Sequence, residues 1–294
     1  MKRININKDF ILFFALPVFL ILIYFINPSQ LFVTGNETSF IAIFVSCLTF
    51  EFFIRKAKNG ENFYMRPIPA MQAMEEAVGR ATEMGSSVLF VPGISGLDEI
   101  DTISGVIILG HVAGMVAEYE ADLHVPCCVP IVMEAAKESC KEAYLKKGRP
   151  DLYNDSKIHY VTDDQFAYAA GVNGIMLREK PAAVFYQGKF YAESLLLAET
   201  GSSVGAIQIA GTGSSSQIPF FVTACDYVLI GEEFYAASAY LSGSPEMIGS
   251  IKGQDYVKLL CMIFIGLVVL LSFFNFVNIT QLDISSFFKI NIIN

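Results

Sequence analysis

The stretch AAVFYQGKFYAESLLLAETGSSVGAIQIAG, residues 182–211, decides the fold, because it reads as strand, helix, strand. AAVFYQG and AIQIAG are short, continuous apolar runs, the pattern of strands covered on both faces rather than of strands with one wet side. KFYAESLLLAET between them has the length and composition of a helix. The same alternation extends outward in both directions. Upstream, PAMQAMEEAVGRATEMG reads as a helix stopped by Gly85, SVLFVPG as a buried strand, LDEIDTISGVIILGHVAGMVAEYE as a helix and DLHVP as a strand. VPIVMEAAKESCKEAYLKKG is amphipathic and ends in basic residues and Gly148, as a helix dipole prefers. After the loop RPDLYNDS come KIHYVT, a helix DDQFAYAAGVNG and a further short run, IMLRE; downstream come a helix SQIPFFVTACD, a strand YVLIG and a helix EEFYAASAYL. Strands alternating with helices predict an α/β domain with a mainly parallel, Rossmann-like sheet and helices on both faces. Three strand-to-helix junctions place a Phe (Phe166, Phe190 and Phe234) at the start of a helix, where it would dock the first turn on the sheet.

The 294 residues are 53% hydrophobic, with 25 Phe, no Trp and a positive mean hydropathy, which is apolar for a soluble domain. Three runs have the character of membrane spans: about 10–26, 40–54 and 259–277. A fourth, 102–119, is set aside. It contains His111 and is bracketed by Asp98, Glu99 and Asp101 on one side and Glu118, Glu120 and Asp122 on the other, which suits a core helix. Its small residues Gly105, Gly110, Ala113, Gly114 and Ala117 would let neighbouring backbones approach closely. Lys2, Arg3 and Lys8 precede the first span and Arg55, Lys56, Lys58 and Arg66 follow the second, while the link between them has no base. The positive-inside rule then predicts two spans in residues 1–56, a cytoplasmic domain over 57–256, and a third span with an outside tail over 257–294 of a multi-pass inner-membrane protein. The first run is long for a signal peptide, lacks a clear A-x-A site and is soon followed by another apolar segment.

Residues 57–256 carry 13 basic and 25 acidic residues, a net charge of −12, which argues against nucleic-acid binding. The six cysteines show no disulfide framework and read as reduced thiols. The loop Gly211-Thr212-Gly213-Ser214-Ser215-Ser216 follows a strand and precedes a helix, where an anion could be cradled. It is not a Walker loop, since no Lys occurs between Lys189 and Lys252. A dinucleotide fingerprint would want Gly where Ser216 stands, and a plain turn with Ser216 as helix cap is the simpler reading. Asp163-Asp164 and Glu232-Glu233 also sit at strand ends; they could hold Mg²⁺ or share acid/base work, but Thr162-x-x-Gln165 equally fits a capping box. His124, Cys127, Cys128 and Cys140 lack chelating spacing, so no metal is expected, and no cofactor is demanded. His111 reads as a core histidine and His159 as a strand residue. No G-x-S-x-G elbow is present.

The segments EEAVGRATEMG (75–85), KEAYLKKGRPDLYN (141–154) and the long block 162–201, with AIQIAG, IGEEFYAASAYL and GSIKGQDY, resemble an uncharacterised prokaryotic membrane-protein family catalogued as a domain of unknown function. The resemblance covers most of residues 67–256. It implies one folded unit flanked by spans and carries over no catalytic or binding residues. Two functional expectations follow. The first is a non-enzymatic, membrane-anchored homo-oligomer with a scaffold role, resting on the lipid bilayer and the small-residue-rich helices. The alternative is a sensor or enzyme taking a small anionic, nucleotide-like ligand at Gly211, Thr212, Gly213 and Ser214 with Asp163 and Glu232 nearby.

Overall fold

The computed structural model describes residues 37–276, apart from residues 62 and 65. The chain divides into two compact units, Tyr64–Met247 and a second that contains the described residues on either side of it. The expected span at 10–26 lies outside the described residues.

In Tyr64–Met247, helix α2 (Pro69–Glu83) leads into β1 (Val88–Gly93), α3 (Ile100–Tyr119), β2 (Leu123–Cys127), α4 (Pro130–Lys146), β3 (Ile158–Tyr160) and α5 (Gln165–Glu179). Then follow β4 (Ala183–Lys189), α6 (Glu193–Ser203), β5 (Ile207–Thr212), α7 (Ile218–Ala224), β6 (Tyr227–Ile230) and α8 (Glu232–Ser242). The six strands form one sheet in the order β3-β2-β1-β4-β5-β6, with every neighbouring pair parallel. This is the order of the doubly wound dinucleotide-binding fold, in which the chain starts at the centre, works to one edge, returns and works to the other.

Side-chain alternation explains the two covered faces. Val88 and Phe90 of β1 and Ala183 and Phe185 of β4 join the core under α2, α3, α4 and α8. Their neighbours Leu89, Val91, Val184 and Tyr186 point the other way, into the core under α5, α6 and α7. Helix ends follow local chemistry: Gly85 (φ +61°) and Gly148 (φ +71°) take the left-handed conformation just past α2 and α4, and Pro69 and Pro130 stand in their first turns.

Two sequence readings change. IMLRE is not a separate run, because α5 continues through it to Glu179 and is stopped by Lys180 at φ 46°. Gly171 inside α5 does not break the helix; it admits the Val161 side chain, whose Cγ1 would lie 2.7 Å from an added Cβ. The Phe junctions divide as well. Phe190 and Phe234 are fully buried, whereas Phe166 is exposed, its docking role taken by Tyr168, whose hydroxyl donates to the Pro126 carbonyl at 2.8 Å.

Two helices among the described residues are long and apolar enough to cross a membrane, α3 and the Pro245–Phe273 part of α9 (Pro245–Phe276), rather than three. The apolar window of α3 is 67% buried, so α3 is a core helix, whereas that of α9 is uncovered. The expected 40–54 span lies within α1 (Glu37–Lys58), whose last turns hold Arg55, Lys56 and Lys58. In the unit containing α1, Gly249 and Gly253 of α9 let two backbones meet. An added Cβ would lie 2.5 Å from the Ile54 Cα at Gly249 and 3.1 Å from the Phe50 Cα at Gly253, and the Phe53 and Tyr256 rings stack at 4.3 Å. This is the small-xxx-small contact of close helix pairs.

Candidate functional site at the carboxyl edge of the sheet

In an open α/β sheet, ligands bind outside the carboxyl ends of the strands where the strand order reverses, here between β1 and β4. The chain occupies that position itself. Gly93 pairs with Lys189, and the Ile94 N–H donates to the Lys189 carbonyl at 3.1 Å. A Cβ on Gly188 would lie 2.3 Å from the Pro92 carbonyl oxygen, and one on Gly105 of α3 would lie 2.3 Å from the Gln187 carbonyl oxygen. Backbone touches backbone on both sides, and Lys189 and Glu99 form an ion pair alongside.

The Gly211–Ser216 loop lies one strand further out, at the end of β5. Both its glycines are required by internal packing. A Cβ on Gly211 would meet Gln187 Oε1 at 2.2 Å and the Phe234 ring at 2.7 Å; one on Gly213 would meet the Tyr235 hydroxyl at 2.0 Å and Asp101 Oδ1 at 2.7 Å. Tyr235 donates to Asp101, and burial together with that hydrogen bond raises its pKa above the ordinary 10.0. Thr212 is fully buried, its Oγ1 accepting the Ser214 N–H at 3.2 Å, and the Ser214 and Ser216 hydroxyls lie 3.2 Å apart. Helix α7 is seven residues long, two turns, and offers an anion little dipole.

Asp163 and Glu232 do not converge on this loop together. Asp163 follows β3 and Glu232 opens α8 after β6, and β3 and β6 are the two edges of the sheet. Five interstrand spacings separate those strands, about 24 Å. The capping box at Thr162 does not form either. Asp164 is the N-cap of α5, its Oδ1 accepting the Ala167 N–H at 2.8 Å, and Gln165 turns its amide to Glu193.

Glu193, which the sequence reading passed over, is the most enclosed carboxylate among the described residues. It is fully buried in the first turn of α6, where Oε1 accepts the Tyr191 N–H at 2.9 Å and Oε2 accepts the Gln165 amide. Next to it, the Ser194 hydroxyl donates to Gln217 Oε1 at 2.7 Å, and the Gln217 amide donates to the Ser216 hydroxyl at 3.2 Å. A polar strap therefore runs across α5, α6 and the β5–α7 loop and ties their first turns together. The glutamate followed KFYA in a helix start, a place where an acid is ordinary, so no pattern marked it as buried. Burial pushes the Cys128 thiol up to about 11, assisted by Asp163, Glu193 and Asp164, and burial pushes Cys127 up to about 12. Such thiols stay protonated and are poor nucleophiles.

His124, Cys127 and Cys128 point apart: Cys127 faces the α3–α4 core and Cys128 the α5–α6 core. His111 is exposed on α3, not a core histidine. His124 is buried, with Nδ1 3.0 Å from Glu179 Oε2 and Nε2 3.4 Å from His159 Nδ1. Burial and then His124 lower the pKa of His159 below the ordinary 6.5, with the Lys157 carbonyl and Glu179 opposing. Folding thus favours neutral His159, so its contribution is complete above about pH 6.5 and is lost as pH falls through the depressed folded value. Urea midpoints should drop as pH falls below about 6.5, less steeply in His159→Asn. Identical slopes in the two proteins would refute that assignment.

The family described as Domain of unknown function (DUF6754) matches residues 27–283. The chain belongs to this family. No curated protein matches the chain.

Proposed function

We propose that this protein is a non-enzymatic, membrane-anchored scaffold whose α/β domain self-assembles on the cytoplasmic side of a bilayer held by α9 and the apolar segments before it. The observation that carries the reading is the filled crevice between β1 and β4. The position that gives this fold its usual ligand holds only the chain's own backbone, at Gly93, Gly105 and Gly188. The fold is then best understood as a rigid body presented to other copies. The uncovered apolar window of α9 supports the membrane anchor, and the basic residues Arg55, Lys56 and Lys58 at the end of α1 support the cytoplasmic side. The anionic-ligand alternative gains no support from Gly211 and Gly213, whose lack of a side chain is already explained by Phe234 and Tyr235.

Full-length protein extracted in mild detergent should run as a discrete homo-oligomer by native mass spectrometry, without a bound small molecule. A monomer at every concentration tested would overturn the scaffold reading. A retained nucleotide-sized mass would overturn the non-enzymatic part of it.

A further inference from the structure

We propose that Glu179, His124 and His159 form an acid-operated latch that holds the edge strand β3 against β2 and lets it go when both imidazoles are protonated. The device stands apart from the scaffold reading. β3 has three residues and β2 as its neighbour in the sheet, so the ladder that holds it is short. A chain of side chains adds to that ladder. Glu179, in the last turn of α5, lies 3.0 Å from His124 Nδ1, and His124 Nε2 faces His159 Nδ1 at 3.4 Å. His124 is buried near the start of β2, whereas His159 is half-buried on β3, open enough for a proton to reach it.

Counting protons shows why the latch opens. Two charged imidazoles carry four ring N–H groups, and the closed arrangement has places for three. One sits on His124 Nδ1, where the Glu179 carboxylate accepts it, one between the facing nitrogens, and one on the outward His159 Nε2. A fourth sets two N–H groups head to head across 3.4 Å and brings two positive rings to a centroid distance of 5.0 Å. Glu179 answers one of those charges. Around the pair, Lys157 just before β3 is itself basic and holds Asp122 at 3.0 Å, Arg178 and Lys180 flank Glu179 in the chain, and β1 sets Leu89 beside His124. Burial and then His124 already keep the pKa of His159 below 6.5, against the pull of the Lys157 carbonyl and Glu179. The half-buried ring therefore leaves for water, while His124 keeps Glu179. Release turns β2 into the edge of the sheet, and the Cys127 carbonyl, which accepts the Val161 N–H at 2.9 Å, becomes open to another extended segment.

Amide hydrogen exchange on the full-length protein in detergent, corrected for the intrinsic rate at each pH, tests the latch. The chain has three histidines, and histidine is the side chain that ordinarily titrates near pH 6.5, so single variants separate the candidates. Peptides covering 155–161 should lose protection by up to about tenfold per pH unit below about 6.5, whereas peptides covering β4 keep theirs. His159→Asn puts an uncharged amide in place of the ring, able to turn either its N–H or its oxygen to His124, and should abolish the loss. His111→Asn, at an exposed position of α3, should leave the loss unchanged. Equal loss at β4 would mean that the domain unfolds as a whole, and steady protection at 155–161 would mean that β3 stays closed; either overturns the latch. The same acid loss in His159→Asn overturns it too, as would its disappearance in His111→Asn. Should His159→Asn not fold, the comparison of 155–161 with β4 in wild type decides alone.

Discussion

Gly105→Ala should destabilise the α/β domain by about 3 kcal/mol, although the same change in most helices is favourable. Gly105 lies inside α3, where alanine is worth about 1 kcal/mol more than glycine on propensity alone. Its Cβ, however, would stand 2.3 Å from the Gln187 carbonyl oxygen and 3.0 Å from its carbon. Both are backbone atoms of the central strand β4, so neither can swing aside. Either α3 lifts off the sheet or β4 bends, and both open a core that includes Phe90, Phe185 and Ile108. Gly79→Ala in α2 is the internal control: nothing lies within 4 Å of its added Cβ, so that variant should gain about 1 kcal/mol. The two alanines therefore move the thermal midpoint in opposite directions, with Gly105→Ala lowering it by about 6–12 °C. A Gly105→Ala protein as stable as wild type would mean that α3 does not touch β4, and the self-filled crevice would be lost as an argument.

The features readable in the sequence were those set by local chemistry. Apolar runs of strand length, Gly85 and Gly148 past their helices, and acids bracketing 102–119 each report on their own surroundings, and the parallel sheet and the core position of α3 follow from them. The features not readable depend on what a distant segment brings. The helix DDQFAYAAGVNG reads as ending at Gly174, yet α5 runs on through Gly174 to Glu179, and Gly171 inside it makes room for Val161 across the turn. The same holds for Gly249 and Gly253. Their spacing in GSIKG is visible in the sequence, but only the Phe50–Ile54 segment of α1 gives it meaning. At the candidate site, Asp163 and Glu232 were grouped because both follow strands. Strand order, which no single stretch encodes, sends them to opposite edges. Glu193 was missed for the same reason, since its burial depends on Gln165, 28 residues earlier.

A two-residue cycle at the opening of α7 separates packing from ligand binding as the reason for the glycine at 213. Gly213 does not have the positive φ that penalises side chains, so alanine there brings no backbone strain of its own. If the glycine serves packing, Gly213→Ala in the ligand-free protein should cost about 2–3 kcal/mol, because its Cβ would meet the Tyr235 hydroxyl at 2.0 Å. Tyr235→Phe removes that oxygen and leaves Asp101 without its donor, a loss of about 1–3 kcal/mol by itself. In the double variant the methyl enters the space of the missing hydroxyl, so the two costs should fall short of additivity by about 1 kcal/mol. The ring carbon Cζ at 2.8 Å and Asp101 Oδ1 at 2.7 Å prevent a full rescue. A glycine kept small for a phosphate would behave otherwise: alanine would be nearly neutral in the ligand-free protein, the Tyr235 background would not matter, and the cost would emerge only in binding. Additive single effects, or a stable Gly213→Ala protein, would therefore return the loop to the ligand reading and leave the scaffold proposal resting on the β1–β4 crevice alone.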